Sequence, residues 1–210
     1  MCSYGPQTLP GTGLKVLGKG HAAVVVAALL EELVVAVKAR RIDSKRDSLL
    51  WEARALAEAS RAGVAPRPLY WDDDLIVMDL VVGPRLGDLL GGGETPTWAL
   101  LEALKAARTL DVIGIEHLEL SRPWRSVVFT GGYEKAKALI IDYESSRRGC
   151  GNVLRILGGL LPAIGVDMTG MRESLTEYKR NCDRSAYNIV ERELLKLLEH
   201  LNPGGPGRAL

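Results

Sequence analysis

The apolar run Ala138-Leu139-Ile140-Ile141 ends on an aspartate, Asp142, and continues as Tyr-Glu-Ser-Ser to Ser146. A short buried strand that closes on an ionised carboxylate needs a partner for it, because an unpaired charge is costly in a low-dielectric interior. Far upstream, "VVAVKAR" sets Lys38 inside a β-branched strand, with Ala36 on the same side of the sheet. A lysine there either snorkels to solvent or pairs with an anion. Glu52, fixed on the next helix by Leu49, Leu50 and Ala53, is one candidate partner; Glu58, nearer the helix end, is the other. "LGKGHAAVV" puts Gly18 and Gly20 between two strands. Without a Cβ, a hairpin there can lie close over phosphates. From that stretch alone, a glycine-bearing hairpin turn with no ligand is the commoner reading. The usual third glycine is replaced by Ala23, and Val25 follows.

The elements that must position these groups follow from pattern. From Leu14 the chain reads as strand, turn, strand, strand, with a tight turn at Glu31-Glu32. Ser44 followed by Asp47 resembles a capping box. Leu49, Ala53, Leu56 and Ala57 form one helical stripe, which Gly63 and Pro66 stop. "PLYWDDDLIVMDLVV" is a strand pair turning at its acidic centre, and Gly83-Pro84 breaks out of it. The hinge-like "GPRLGDLLGGGETP" leads to a helix over Thr97–Val112. A turn at Gly131-Gly132 precedes the strand that delivers Asp142, and helices follow near 151–164, 171–181 and 185–201. In the last, Ile189, Leu194, Leu197, Leu198 and Leu201 make the buried face, with Glu191, Arg192, Lys196 and Glu199 outside. Residues 1–13 and 202–210, rich in Pro and Gly, flank a β-rich part, 14–82, and a mainly helical part, 83–201. The fold class is α+β.

Composition excludes more than it assigns. Aromatics are 5% of the chain, so aliphatic packing must dominate. With 27 basic and 26 acidic residues the net charge is +1, which gives no reason to invoke a nucleic-acid surface. Cys2, Cys150 and Cys182 are odd in number and widely spaced, which suits a reducing cytosol and no metal-ligand pattern. His21, His117 and His200 are scattered, so no zinc site is expected. No stretch reaches the ~18 consecutive apolar residues of a membrane helix, and the N-terminus lacks a secretory pattern. A cytoplasmic protein with no membrane partner is the expectation.

The glycine hairpin, Val-Ala-x-Lys, a helix glutamate, "HLELS" and "IIDYESS" occur in that order. Together they resemble the protein-kinase fold, and most its small atypical members: RIO-type kinases and archaeal predicted serine/threonine kinases carrying Lys-x-Arg-Arg-x-Asp-Ser. "KARRIDS", Lys38–Ser44, and "DYESS", Asp142–Ser146, carry the match, which spans about Leu14 to Ser146. The resemblance implies a two-lobe fold: an antiparallel sheet with one helix, then a reduced, mainly helical lobe. It also implies ATP and Mg2+. Lys38 would hold the α and β phosphates, oriented by Glu52, with Gly18, Gly20 and Ala23 over them. Val25, Ala36 and Val128 would sandwich the adenine, Met78 would be gatekeeper, and the backbones of Asp79 and Val81 would meet the adenine edge. Asp142 would bind the magnesium. Such a site suits phosphoryl transfer, which demands positioning and charge neutralisation more than covalent work.

The pattern also departs. Glu119 stands where His-x-Asp would put its aspartate; its extra methylene moves the carboxylate by about one bond length, and a misplacement of that size can cost ~100-fold in rate. Trp124 falls at the asparagine position unless "RPWR" is an insertion, which brings Ser126 there as a weak magnesium ligand or none. Glu144 is a further metal or structural carboxylate, and Arg147-Arg148 either meets a phosphate-bearing partner or is solvated. The readings are an ATP/Mg-dependent kinase acting on a protein serine or threonine, autophosphorylating included; a RIO-like ATPase switch; a nucleotide-binding pseudokinase; and a small-molecule phosphotransferase.

Overall fold

Three β-branched segments near the amino terminus meander into strands β1 (Lys15–Lys19), β2 (Ala23–Leu30) and β3 (Leu33–Arg40). β2 and β3 close through the two-residue turn Glu31-Glu32, where Leu30 faces Leu33 and Glu31 takes φ of 54°. Helix α1 (Leu50–Arg61) follows, then β4 (Pro68–Trp71) and β5 (Leu75–Asp79). The five strands form one antiparallel sheet in the order β1-β2-β3-β5-β4. This computed structural model describes residues 14–90, 96–131 and 135–201. The expected tails at 1–13 and 202–210, the Gly-rich stretch 91–95 and Gly132 lie outside those residues.

Helix α1 starts later than the serine pattern suggests. Ser44 Oγ accepts from Arg46 N at 3.0 Å, and Ser48 Oγ accepts from Leu50 N at 3.0 Å, so no capping box forms between Ser44 and Asp47. Aspartate, one methylene shorter than glutamate, is a poor reciprocal cap, and local side-chain bonds win. The expected stripe is buried: Leu49, Ala53, Leu56 and Ala57 are at most 7% exposed. Gly63 ends the helix region at φ +77°, a conformation an L side chain resists. The acidic hairpin turn is an Asx turn, with Asp72 Oδ1 accepting from Asp74 N and Leu75 N.

The chain forms two compact units, and the first is discontinuous. It joins the residues up to Pro84 with Val127–Ser146. The added segment holds the hairpin β7 (Val127–Thr130) and β8 (Lys137–Ile140) and a 3-10 turn over Tyr143–Ser145. Ile140 N donates to Val64 O at 2.8 Å, and Phe129 N to Pro84 O at 2.9 Å. A Cβ on Gly83 would collide with the Phe129 carbonyl oxygen, which is backbone and cannot rotate away. Gly83→Ala is therefore expected to cost about 3 kcal/mol by overpacking, read as a lowered Tm; an unchanged Tm would mean that the segment moves aside.

The second unit comprises residues from Arg85 to Ser126 and from Arg147 onward. It contains α2 (Leu86–Leu90), α3 (Thr97–Val112), β6 (Ile115–His117), α4 (Pro123–Ser126), the end of β9 (Ser146–Arg148), α5 (Asn152–Ala163), α6 (Arg172–Asn181) and α7 (Arg184–Leu201). Its core is aliphatic, with Leu100, Leu104, Leu110, Leu120, Ile156 and Leu161 no more than 2% exposed. The buried face of α7 is rotated from the expected one: Ala186, Tyr187, Val190, Leu194 and Leu198 are buried, while Ile189 and Leu197 are half-buried. Tyr187 carries that rotation, because its ring packs beside Tyr178 at 6.4 Å and outweighs a leucine-only stripe. Among the described residues no helix is long and apolar enough to cross a membrane.

Candidate functional site

Strand register puts five of the expected residues on one face of the first unit's sheet. Val25 pairs with Lys38, Lys38 with Ile76, and Ala36 with Met78. Directly paired and alternate positions share a face, so Ala23, Val25, Ala36, Lys38 and Met78 look the same way. Ala36 is 6% exposed. Gly18 sits at a bulge in β1. Among the described residues, a Cβ on it would meet nothing within 4 Å, and one on Gly20 would meet only Ala23 O at 3.6 Å. The packing of the described residues therefore does not demand those glycines, and it leaves the space above Gly18 open. Val128 is buried on β7, and Val81 is half-buried beyond β5. The Asp79 N–H already donates to Arg67 O at 2.9 Å. Of that residue's backbone, only the carbonyl could meet a base edge.

Lys38 is 5% exposed and does not snorkel. Its Nζ donates to Glu52 Oε1 at 2.6 Å and to Asp142 Oδ1 at 2.8 Å, with Glu144 Oε2 at 3.7 Å. Glu52 is thus the partner and Glu58 is not. Burial pulls the ammonium's pKa down, but Glu52 and Asp142 outweigh it and hold it above the ordinary lysine value. Burial lifts the Glu52 carboxyl, against the pull of Lys38 and with the push of Asp142 and Glu144. Among the described residues, Glu52 Oε2 has no hydrogen-bond partner. The Asp142 side chain is 50% exposed, so its carboxylate reaches both the lysine and solvent.

Asp142 lies past the end of β8, in a left-handed conformation at φ 68° and ψ 68°. Aspartate tolerates that region better than most residues. Two hydrogen bonds and one buried ring that sequence reasoning missed pin the turn behind it. Trp51 Nε1 donates to Ser146 O at 2.7 Å, Arg46 Nη2 donates to Glu144 O at 2.6 Å, and Tyr143 is 1% exposed. Arg46 also pairs with the Glu144 carboxylate at 3.4 Å. The available signal was the run of polar residues between β3 and α1, in which Arg46 had no assigned task.

The other expected site residues belong to the second unit. Glu119 is exposed in a 3-10 turn, Leu118–Ser121, between buried His117 and Leu120. Ser126 is 3% exposed at the end of α4, which takes in Pro123, Trp124 and Arg125 of "RPWR". Behind the strand that leads to Glu119 lies a polar web that the sequence did not reveal. Asp111, at the end of α3, accepts from Gly151 N, Asn152 N, Asn152 Nδ2, Val153 N and the Tyr178 hydroxyl, at 2.7 to 3.1 Å. Asn152 in turn accepts from His117 N at 2.7 Å and donates to Ile115 O at 2.7 Å.

Arg147 is not simply solvated: its Nε donates to Glu116 Oε2 at 2.6 Å, while Arg155 grips Oε1. Burial pushes the Glu116 carboxyl up, but the two arginines outweigh it and hold it below the usual range. A depressed folded-state pKa means stabilisation that is present above the unfolded value and lost as pH falls through the folded one. Wild-type stability should therefore fall, as pH drops below the ordinary glutamate value, by more than that of Glu116→Gln. Parallel urea midpoints for the two proteins would contradict this.

The cysteines depart from expectation. Cys150 and Cys182 form a disulfide across 32 residues, a pairing invisible in spacing because α5 and α6 bring the two together. Cys2 lies outside the described residues. In comparisons with known proteins, no family model matches the chain, and no curated protein sequence matches it significantly.

Proposed function

We propose that this chain is an ATP- and magnesium-dependent phosphotransferase, an atypical RIO-like serine/threonine protein kinase with a kinase-like two-lobe fold. The observation that carries the reading is Lys38, buried on β3 and held between Glu52 and Asp142. A buried ammonium with one carboxylate on a helix and a second, half-exposed one on a turn is poised to take a phosphate oxygen. The strand order β1-β2-β3-β5-β4 with one helix between β3 and β4 supports the same reading.

The residues present suit a hard divalent cation. Glu52, Asp142 and Glu144 outnumber Lys38 and Arg46, and every donor is oxygen. Asp142 would hold Mg2+, which when bound neutralises charge on the phosphate oxygens. On phosphate binding Lys38 exchanges its Asp142 contact for phosphate oxygen, while Glu52 keeps the amine in place. Among the described residues, the space over Gly18 is open and leaves room for the phosphates. Glu119, exposed, accepts the proton of the substrate hydroxyl.

Glu119 in place of aspartate and the burial of Ser126 favour a second reading, a nucleotide-binding pseudokinase or ATPase switch. One experiment separates the readings: a thermal-shift titration with MgATP, then tracing of γ-labelled phosphate. A shift with label on protein serine or threonine is expected. Label released to water means an ATPase, a shift without transfer means a binding module, and no shift overturns both. Glu119→Gln should lower transfer by about 100-fold, with the MgATP shift retained.

A further inference from the structure

The disulfide joins the residue before the N-cap of α5 to the left-handed residue that caps α6. A cavity of about 380 Å³ opens beside it. Cys150 lines that cavity, with Glu116, Arg155 and Lys179 on its wall. The Glu116 carboxylate is already held by Arg147 and Arg155, so the wall is net positive.

The two sulfurs differ as leaving groups. Arg108 Nη1 lies 3.9 Å from Cys182 Sγ and donates to the Cys182 carbonyl at 3.2 Å. A cation that close stabilises a thiolate, and a more acidic thiol departs faster. The Asp111 carboxylate lies near both sulfurs. Its oxygens, however, are engaged by five donors. That saturation, with Arg108 alongside, also argues against a metal ion at Asp111, Cys150 and Cys182.

We propose that Cys150–Cys182 is an exchange site for an anionic thiol of the glutathione class, and that its redox state controls the backbone leading to Glu119. The thiolate enters through the cavity and attacks Cys150 Sγ. A new S–S bond forms there as the Cys150–Cys182 bond breaks, and the electron pair leaves on Cys182 Sγ beside Arg108. A second thiolate attacks the small-molecule sulfur of the mixed disulfide and releases Cys150 as a thiolate. Two thiols are thereby oxidised to one disulfide, the protein pair is reduced, and the protein sulfurs take protons from water. Loss of the tether loosens the start of α5, where Gly151 and Asn152 hold to Asp111 and Asn152 holds the His117 N–H. The link to activity rests on the phosphotransferase reading; the exchange chemistry does not.

The test uses the oxidised full chain carrying Cys2→Ser, treated with reduced glutathione, quenched in acid and mapped by mass spectrometry. The mixed disulfide is expected on Cys150 with the thiol on Cys182; the reverse placement overturns the site. Glutathione diethyl ester should react more slowly than glutathione, and Lys179→Gln should slow glutathione alone by about threefold. Equal rates in both comparisons overturn the anionic preference. Amide hydrogen exchange over 115–119 should quicken several-fold on reduction, and unchanged protection overturns the coupling. A chain that passes these tests without transferring phosphate sinks only the phosphotransferase reading.

Discussion

Lys38→Met is expected to abolish both the MgATP-dependent thermal shift and phosphate transfer, and to lower Tm by roughly 6–20 °C. Both effects have one origin. The amine is the shared cation of Glu52 and Asp142, and Glu52 is 4% exposed. Removing one member of a buried pair leaves the other charge uncompensated, which costs about 3–5 kcal/mol. The double variant Lys38→Met/Glu52→Gln separates stability from function. With the stranded carboxylate gone, Tm should return most of the way, while the nucleotide response stays absent. A Lys38→Met protein that still shifts with MgATP would remove the lysine from nucleotide binding. A double variant as unstable as the single one would mean that the pair is not the source of the lost stability. The lysine's raised pKa places its contribution below the unfolded value, lost only as pH rises through the folded one. Neutral and acidic buffers are therefore the place to measure it.

The second large effect belongs to Asp111. Helix α5 has no cap from its own sequence, since Gly151 occupies the N-cap position. Asp111 supplies the cap from α3, accepting three backbone N–H groups of α5 near the positive end of its dipole. Asp111→Ala would leave those donors, the Asn152 amide and the Tyr178 hydroxyl without their acceptor. A buried donor left unsatisfied costs about 1–3 kcal/mol, so a loss near 5 kcal/mol, at the limit of single substitutions, is expected. Asp111→Asn keeps the shape and one acceptor oxygen, and should lose about half as much. Equal and small losses for both variants, measured by urea unfolding, would show that water replaces the carboxylate.

The two predictions differ in how far the sequence announced them. Lys38 and Glu52 were legible because each sits in a strong local pattern: a β-branched strand, and a helix whose stripe was read correctly from Leu49 to Ala57. The helix Thr97–Val112 was likewise readable to its ends. Local periodicity decides such elements. Asp111 was not legible, because an aspartate near the end of an apolar helix looks like any solvated terminus. Its partners lie some forty residues away in Gly151–Val153, and nothing local points to them. The disulfide escaped for the same reason. The Ser44–Asp47 cap and the face of α7 failed differently: both were local patterns, overruled by a nearer serine and by paired tyrosines. The pairing of Asp142 with Lys38 was expected to be mediated through a nucleotide and its metal, and the direct contact between them was not anticipated.

The discontinuity of the first unit has a consequence for biosynthesis. A ribosome that has translated as far as Pro84 has made all five strands of the sheet and α1, but neither Phe129, whose carbonyl lies against Gly83, nor Asp142 and Tyr143. At ordinary elongation speeds about 3–12 s pass before Ser146 follows. Throughout that interval the nascent sheet carries a lysine with one acid instead of two, and the open flank where β7 and β8 will dock. A stalled or truncated product ending between those points would be a natural client for chaperones and proteases.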